Sequence, residues 1–347
     1  MTRTLELRYV LMRGGADFGE IYPLSSSAPT LRMDESAEIK TSLRGEFAPA
    51  PEADWLSDEI RPELIIDGVA HSLGVFSAAS VRQFESETER GLEIEAYDRC
   101  WRVRDTRTDS VLSLAAGTNY ITAINTLLAA AGIALISATP TAATLAEIRE
   151  DWDVGTSYLT IVNALLDEIN YNPLWFNASG AAVLEPASVP TAESIEHTLD
   201  GSDVKSLLLP SISRESDVYD APNAWICICS NADKSGPLVA TSENTNPQSP
   251  LSIPRRGRKI CSVVRVNNIA DATALQAYAD RLRDESMIGG ETVIAETALL
   301  PGYGVADVTA IHVKELSAIC IERAFEMELA VGGVMRHTLE KVVVNLG

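Results

Sequence analysis

Four carboxylates crowd together ahead of a helical stretch: Glu147, Glu150, Asp151 and Asp153. Two carboxyls roughly 5 to 9 Å apart are what glycoside hydrolysis requires, one to protonate the leaving oxygen and one to attack or to activate water. Acidic residues before a helix N-terminus are also stabilised by its dipole with no chemistry attached. Cys227 and Cys229 flank Ile228 in a strand-like run, so both thiols face one side, as two ligands of a soft metal do. Two ligands do not complete a site, and a packed strand accounts for the same spacing. The four histidines, His71, His197, His312 and His337, stand far apart, none with a His or Cys two or four residues on. No HExxH, phosphate-cradling glycine loop or GxSxG is present. Gly14-Gly15, Gly289-Gly290 and Gly332-Gly333 read as turns. The residues therefore predict no catalytic, cofactor-binding or metal site.

The charge balance excludes more than the motifs do. Lys plus Arg number 28 against 49 for Asp plus Glu, a net charge of −21 in 347 residues. Such a surface repels phosphates, so specific nucleic-acid binding is not expected. Against that background, Arg255, Arg256, Arg258 and Lys259 place four positive charges in five residues. A solvated loop ahead of a strand explains them; so does a contact with an acidic neighbouring subunit, since opposite charges set register in assemblies. The five scattered cysteines, with no CxxC, imply neither a disulfide framework nor a zinc knuckle and fit synthesis in a reducing cytoplasm. The N-terminal residues carry Arg3, Glu6 and Arg8 and no apolar core of a signal peptide follows. Residues 110–146 hold no charge, yet their periodic part, Tyr120 to Ala131, is shorter than the ~20 residues a membrane span needs and is closed by Gly132. A buried helix is expected there.

The length predicts two or three domains. Residues 1–108 read as all-β. Asp67-Gly68 supplies the positive-φ pair of a tight hairpin within Glu63 to Phe76, and Leu92, Ile94 and Ala96 alternate with Glu93 and Glu95. Ala16 to Glu35 and Pro49 to Asp58 read as long loops. Residues 109–197 form a small helix-plus-strand module. In it Tyr158, Val162, Leu165 and Ile169 share one helix face behind a Thr156 or Ser157 cap, Asn170 to Pro173 ends the helix, and Leu-Trp-Phe, a polar turn and Ala182 to Leu184 make a strand pair. Residues 198–347 return to strands (Val204 to Leu209, Ala224 to Cys229, Lys259 to Asn267, Thr292 to Leu300, Ser317 to Ala330). One helix interrupts them, with an Asp271 cap, a Leu275/Tyr278/Leu282 face and an Arg281–Glu285 pair, and it is expected to pack across a sheet. In the strand from Ser317, Ile319, Ile321, Phe325, Met327 and Leu329 are expected inside, with Glu322, Glu326 and Glu328 in water. The fold class is thus α+β, mainly β: two β-barrel-like domains flanking a small module.

The helix leading into Asn170-Tyr171-Asn172-Pro173-Leu174-Trp175-Phe176, followed by Gly180 and a late β domain, resembles the hub proteins of phage baseplates and tails. The resemblance implies a structural protein of a virion tail or related contractile injection machine, synthesised in the host cytoplasm. By that resemblance it is a homotrimer whose two barrels per chain give six positions, joining a sixfold tail tube to a threefold central spike. Its implied partners are the tube, the spike, other baseplate proteins and a tape-measure protein, with no membrane span, no cofactor and no enzymatic activity. A tail-associated cell-wall hydrolase is the competing reading; such enzymes carry a separate hydrolase domain, for which the residues before Gly347 are expected to leave no room. A distal-tail or receptor-binding protein is the third. Arg255, Arg256, Arg258 and Lys259 are the expected subunit contacts.

Overall fold

The computed structural model describes residues 3–342 apart from 26, 86–89, 189, 203–205, 217–220, 230–236, 267–268, 270, 287 and 314–315. Its N-terminal part contains β1 (Leu5–Arg13), β2 (Ala16–Glu20), β3 (Thr30–Asp34), β4 (Thr41–Phe47), β5 (Glu59–Ile66), β6 (Val69–Ser72), β7 (Phe76–Glu85) and β8 (Arg90–Asp98), then the short helix α1 (Cys100–Asp105). The β5–β6 hairpin turns at Asp67 (φ 49) and Gly68 (φ 83), and Leu92, Ile94 and Ala96 are buried, as their alternation predicts. Ala16 to Glu35 is not one loop: it holds β2, an exposed edge strand with little hydrophobic pattern, and β3, an interior strand whose alternation of Leu31 and Met33 is only five residues long.

The middle module is α2 (Tyr120–Ala130), β9 (Ile136–Ala138), α3 (Tyr158–Glu168), β10 (Trp175–Phe176) and β11 (Ala182–Leu184). Asn119 caps α2 by accepting from Thr122 N, and Ser157 caps α3 by accepting from Leu159 N. Asn170 takes φ 57 to end α3, and its neighbour Tyr171 is buried. The two helices and the small sheet β10-β11-β9 enclose their own core around Ile124, Leu128, Val162 and Leu165.

The last part runs β12 (His197–Asp200), β13 (Leu208–Glu215), β14 (Ala224–Cys229), β15 (Leu238–Glu243), α4 (Ile253–Arg256), β16 (Cys261–Val266), α5 (Ala272–Glu285), β17 (Ile288–Ala298), β18 (Val308–Val313), β19 (Leu316–Glu328) and β20 (Val334–Val342). Of the predicted strand Val204 to Leu209, 204–205 lie outside the described residues, and β13 begins at Leu208. Asp271 caps α5 by accepting from Ala274 N, and α5 packs on the three-stranded sheet β15-β14-β16 through Leu275, Tyr278 and Ala279. Gly332 (φ 83) turns the final hairpin. Gly289-Gly290 is not a turn; it lies inside β17 where the register with β20 shifts between Ile288 and Thr292.

The chain is mainly β, and its first and last parts share one 14-stranded sheet ordered β13-β17-β20-β19-β3-β4-β8-β7-β5-β1-β2, with β12-β18 attached to β19 and β6 to β5. No ladder among the described residues closes into a barrel, although Ile21 N bonds Tyr9 O and Leu24 N bonds Glu46 O, which brings the segment after β2 from β1 across to β4. β19 is the joint. Leu316 to Ile321 pair with β18, whereas Ala324 to Glu328 pair with β3, so one strand belongs to both halves. A bulge between Glu322 and Ala324 makes this possible by shifting the register with β20. It also reverses the pleat: Leu316, Ala318 and Cys320 are buried before it, Phe325 and Met327 after it, so Ile319, expected inside, falls on the other phase and is only half-buried. Glu322 falls at the reversal and is fully buried, not on the wet face. The core of the first part is accordingly completed by Phe325, Met327, Leu329 and Met335 from the far end of the chain.

The β10–β11 turn locks the middle module onto β5, β6 and the link from β6 to β7. Arg99 holds Glu59 through two 2.8 Å bonds and donates to Gly180 O at 2.9 Å, while Ser72 Oγ donates to Ala178 O at 2.5 Å. Gly180 has φ 76, and a Cβ there would lie 2.8 Å from a Val75 methyl. Only glycine satisfies both the turn and the close approach.

Candidate functional surfaces

The carboxylate cluster is an anchor. Arg149, 5% exposed, bonds Asp151 at 2.7 and 2.8 Å and Glu168 at 2.8 and 2.9 Å, and its guanidinium lies 4.7 Å from the Trp152 ring. Tyr120 Oη donates to Glu168 at 2.8 Å. The loop before α3 is thereby pinned to α2 and α3. Arg149 holds the Asp151 carboxyl below its ordinary range, so Asp151 carries no proton to give a leaving group at neutral pH. Burial raises Glu168 against the pull of Arg149, and Glu168 is held nearly buried between that guanidinium and the Tyr120 hydroxyl. Glu147, Glu150 and Asp153 are exposed.

The fold brings together two histidines that the sequence separates by 140 positions. His197 stacks on Tyr303 (centroids 3.8 Å apart, planes at 14°), and His337 lies 4.8 Å from the same ring. His337 Nδ1 meets Glu322 Oε2 at 2.8 Å and its Nε2 meets Thr297 Oγ1 at 3.0 Å; all three side chains are wholly buried. His197 Nε2 meets Asp307 Oδ2 at 3.0 Å. Burial drives the Glu322 carboxyl upward, with His337 opposing. No group of three or more His, Cys, Asp or Glu among the described residues is arranged to hold a metal. A sealed pair with no opening has no path for a substrate, so this cluster fastens the bulge of β19 to β17 and β20. The two inward phases of β19 are the sequence signal that finds it: residues 318 and 320 against 325 and 327 imply a bulge, and Glu322 sits at the break. His71 lies in β6, and His312 bonds Ser317 on the exposed side of β18.

Cys227 and Cys229 point together, as their spacing predicts, into the core under α5 with Trp225, Leu275 and Ala279. Arg255 and Arg256 end α4, and Gly257 (φ 65) caps it. Arg256 reaches Ala221 O, Lys259 pairs with Glu243, and Arg255 and Arg258 are exposed. The fold thus gathers the four basic residues in one tight turn at the end of the sheet β15-β14-β16. Along the flank of α5 lies the opposite: an open cleft of about 1380 Å³ between α5, the middle module and the last part of the large sheet, lined by nine carboxylates and two arginines. Burial raises Glu196 and Glu285 there, and neighbouring Asp307 and Asp167 add to the rise. Nothing in the sequence marked this cleft, because its walls come from residues 35 to 323.

No family model matches the chain, and no curated protein does. Solved structures do. A tail protein from Neisseria meningitidis MC58 superposes over 97% of this chain and 96% of its own with a TM-score of 0.69 at 14% identity. The 43 kDa tail protein of prophage MuSo2 from Shewanella oneidensis matches over 96% and 98% with a TM-score of 0.65 at 11% identity. The E. coli c3393 protein, a type VI secretion component described as similar to the T4 tail proteins gp27 and gp5, matches 96% of this chain and 77% of its own at TM-score 0.54 and 10% identity. This chain therefore has the fold of phage tail and type VI secretion proteins. No helix among the described residues is long and apolar enough to cross a membrane.

Proposed function

We propose that this protein is a structural hub of a phage tail or related contractile injection machine, joining a sixfold tail tube to a threefold central spike. The observation that carries the reading is the end-to-end fold match with tail proteins, which takes in the first, middle and last parts together. Three chains, each offering the sheet regions 1–108 and 198–347 on either side of module 109–197, present six similar positions to a tube while keeping threefold symmetry for a spike. A ring also covers strand edges such as β2 and β13, which end the large sheet. The charge of −21 suits a channel through which DNA or a tape-measure protein slides, because basic contacts to phosphate add salt-dependent affinity. Arg255, Arg256, Arg258 and Lys259 make subunit or partner contacts in this reading, and the assembled protein resides in the virion tail.

In this reading the chain works without hydrolysing anything: of the carboxylates that were candidates for wall cleavage, Asp151 serves Arg149, while Glu147, Glu150 and Asp153 stand exposed around it. Particles assembled without this chain are expected to have tubes and spikes that no longer join; tube-to-spike junctions of normal appearance in its absence contradict the hub role. Cell-wall clearing on a zymogram that disappears with Glu147→Gln or Glu150→Gln contradicts the structural reading.

A further inference from the structure

The strand β14, Ala-Trp-Ile-Cys-Ile-Cys, is apolar at every position, the composition of a strand covered on both faces. Only one face is fully covered; on the other, Ala224 is buried but Ile226 and Ile228 are half-buried. Trp225, Cys227 and Cys229 lie under α5, while Ile226 and Ile228 point the other way. In register with them stand Val263 and Thr241 beside Ile226, and Arg265 and Val239 beside Ile228. Val239 is 59% and Val263 51% exposed. A wet sheet face ordinarily alternates to polar residues; here its centre is four β-branched hydrocarbons. The segment joining β15 to β16 crosses the end of this sheet, and it carries the basic turn. Arg255 and Arg258 are exposed there, and Arg265 is exposed on the open face itself. The patch is therefore an apolar centre whose rim carries Arg255, Arg258 and Arg265 beside a Lys259–Glu243 pair, a net positive edge on a chain of charge −21.

We propose that this open face of β15-β14-β16 docks into the carboxylate-lined cleft of a second copy of the chain, and so forms the contact that repeats around the ring. The inference rests on the hub reading and names the surfaces that reading needs. Charge complementarity selects the occupant: the cleft is lined by nine carboxylates against two arginines and stays net negative although Arg281, Arg283 and Arg323 pair with five of them, and Val305, Ile195 and Pro190 are among its walls for the hydrocarbon centre. The two patches cannot meet within one copy. The open face looks away from α5, with the sheet between, while the cleft runs along α5's flank through Ala277, Arg281 and Asp284. Different surfaces in contact make a head-to-tail interface, which propagates until it closes.

Cys261 begins β16 on the open face and is exposed, whereas the other four cysteines are buried. That makes N-ethylmaleimide a reporter of the interface in the full-length protein. Sedimentation across a concentration series, with alkylation at each point, is expected to show oligomers in which Cys261 reacts at least tenfold more slowly than in the dilute monomer. Arg255→Glu with Arg258→Glu is expected to weaken association at least tenfold at low salt with an unchanged melting temperature. Adding Glu193→Lys and Asp284→Lys in the cleft is expected to restore it. Oligomers whose Cys261 reacts as fast as the monomer's overturn the docking surface and leave the hub reading standing. A chain that stays monomeric at every concentration, or charge reversals that change nothing or that the cleft lysines do not rescue, also overturn it. The hub reading fails separately, if tube and spike join without the chain.

Discussion

The joint at β19 and the small sheet β15-β14-β16 treat their difficult groups in opposite ways. At the joint a carboxylate and an imidazole are buried completely and bonded inside the chain, Glu322 through its Oε2 to His337 and His337 to Thr297. On the small sheet, hydrocarbon that would gain from burial is left in water, next to cations left unburied. Buried polar groups need fixed partners, so the first arrangement belongs to a finished part of the fold. Exposed apolar centres with a charged rim belong to a surface awaiting a partner. The large sheet is the frame, and the small sheet is what the frame presents.

The largest expected effect breaks the frame. His337→Ala leaves Glu322 buried without its donor, and removing one member of a buried pair costs about 3 to 5 kcal/mol. Denaturant unfolding is expected to show that loss, with the β19–β3 junction the first to lose hydrogen-exchange protection; a cost below about 1 kcal/mol contradicts a fastened joint.

Next is a pH effect three strands away from β19 in the same sheet, at the end of β8. Asp98 accepts from Thr41 N and Cys100 N but is fully enclosed, and burial pushes its carboxyl up to about 7. The native chain then holds a proton that the unfolded chain, at the ordinary value of 3.8, releases. Its contribution is complete below about pH 4 and is lost as the pH rises through 7, by at most about 4 kcal/mol. Asp98→Asn is expected to flatten that slope in thermal melts between pH 4 and 8. An unchanged slope contradicts the assignment.

Gly180→Ala tests how the middle module sits on the frame. The strained φ and the approach to Val75 predict a loss of about 1 to 3 kcal/mol, while Gly117→Ala, at φ 79 with nothing within 4 Å, bears the conformational cost alone. Equal losses at the two sites would mean that the docking contact contributes nothing. The smallest stability effect is on the presented surface: Arg255→Glu with Arg258→Glu should shift folding by no more than about 0.5 kcal/mol while weakening assembly. Unfolding without an assembly defect reverses the division drawn between frame and surface.

Local pattern carried much of this fold. The α3 face, its Ser157 cap, the stop at Asn170 and the β10–β11 pair are all written within thirty residues, and so is the Asp67-Gly68 hairpin. The joint was not legible, because β3 and the end of β19 meet across nearly three hundred positions and no local period encodes a pairing at that distance. Glu322 and Ile319 were misplaced for a related reason: an alternation phased on Phe325, Met327 and Leu329 is right after the bulge, but carried back through it assigns the wrong face. The basic turn was visible as composition. Its counterpart, the acidic cleft, is assembled from separate parts and could be seen only in three dimensions. The open side of half-buried Ile226 and Ile228, beside exposed Val239 and Val263, was hidden as well, since an all-apolar strand reads as buried on both sides.

The most direct measurement is a reconstruction of the intact tail particle at a resolution that separates strands. The account predicts a layer of three copies between tube and spike, each with β1 to β8 and β17 to β20 joined in one sheet through β19. It also predicts an acidic channel wall, with the open face of each β15-β14-β16 sheet covered by its neighbour. Six separate copies in that layer, or a channel lined by lysine and arginine, would contradict it.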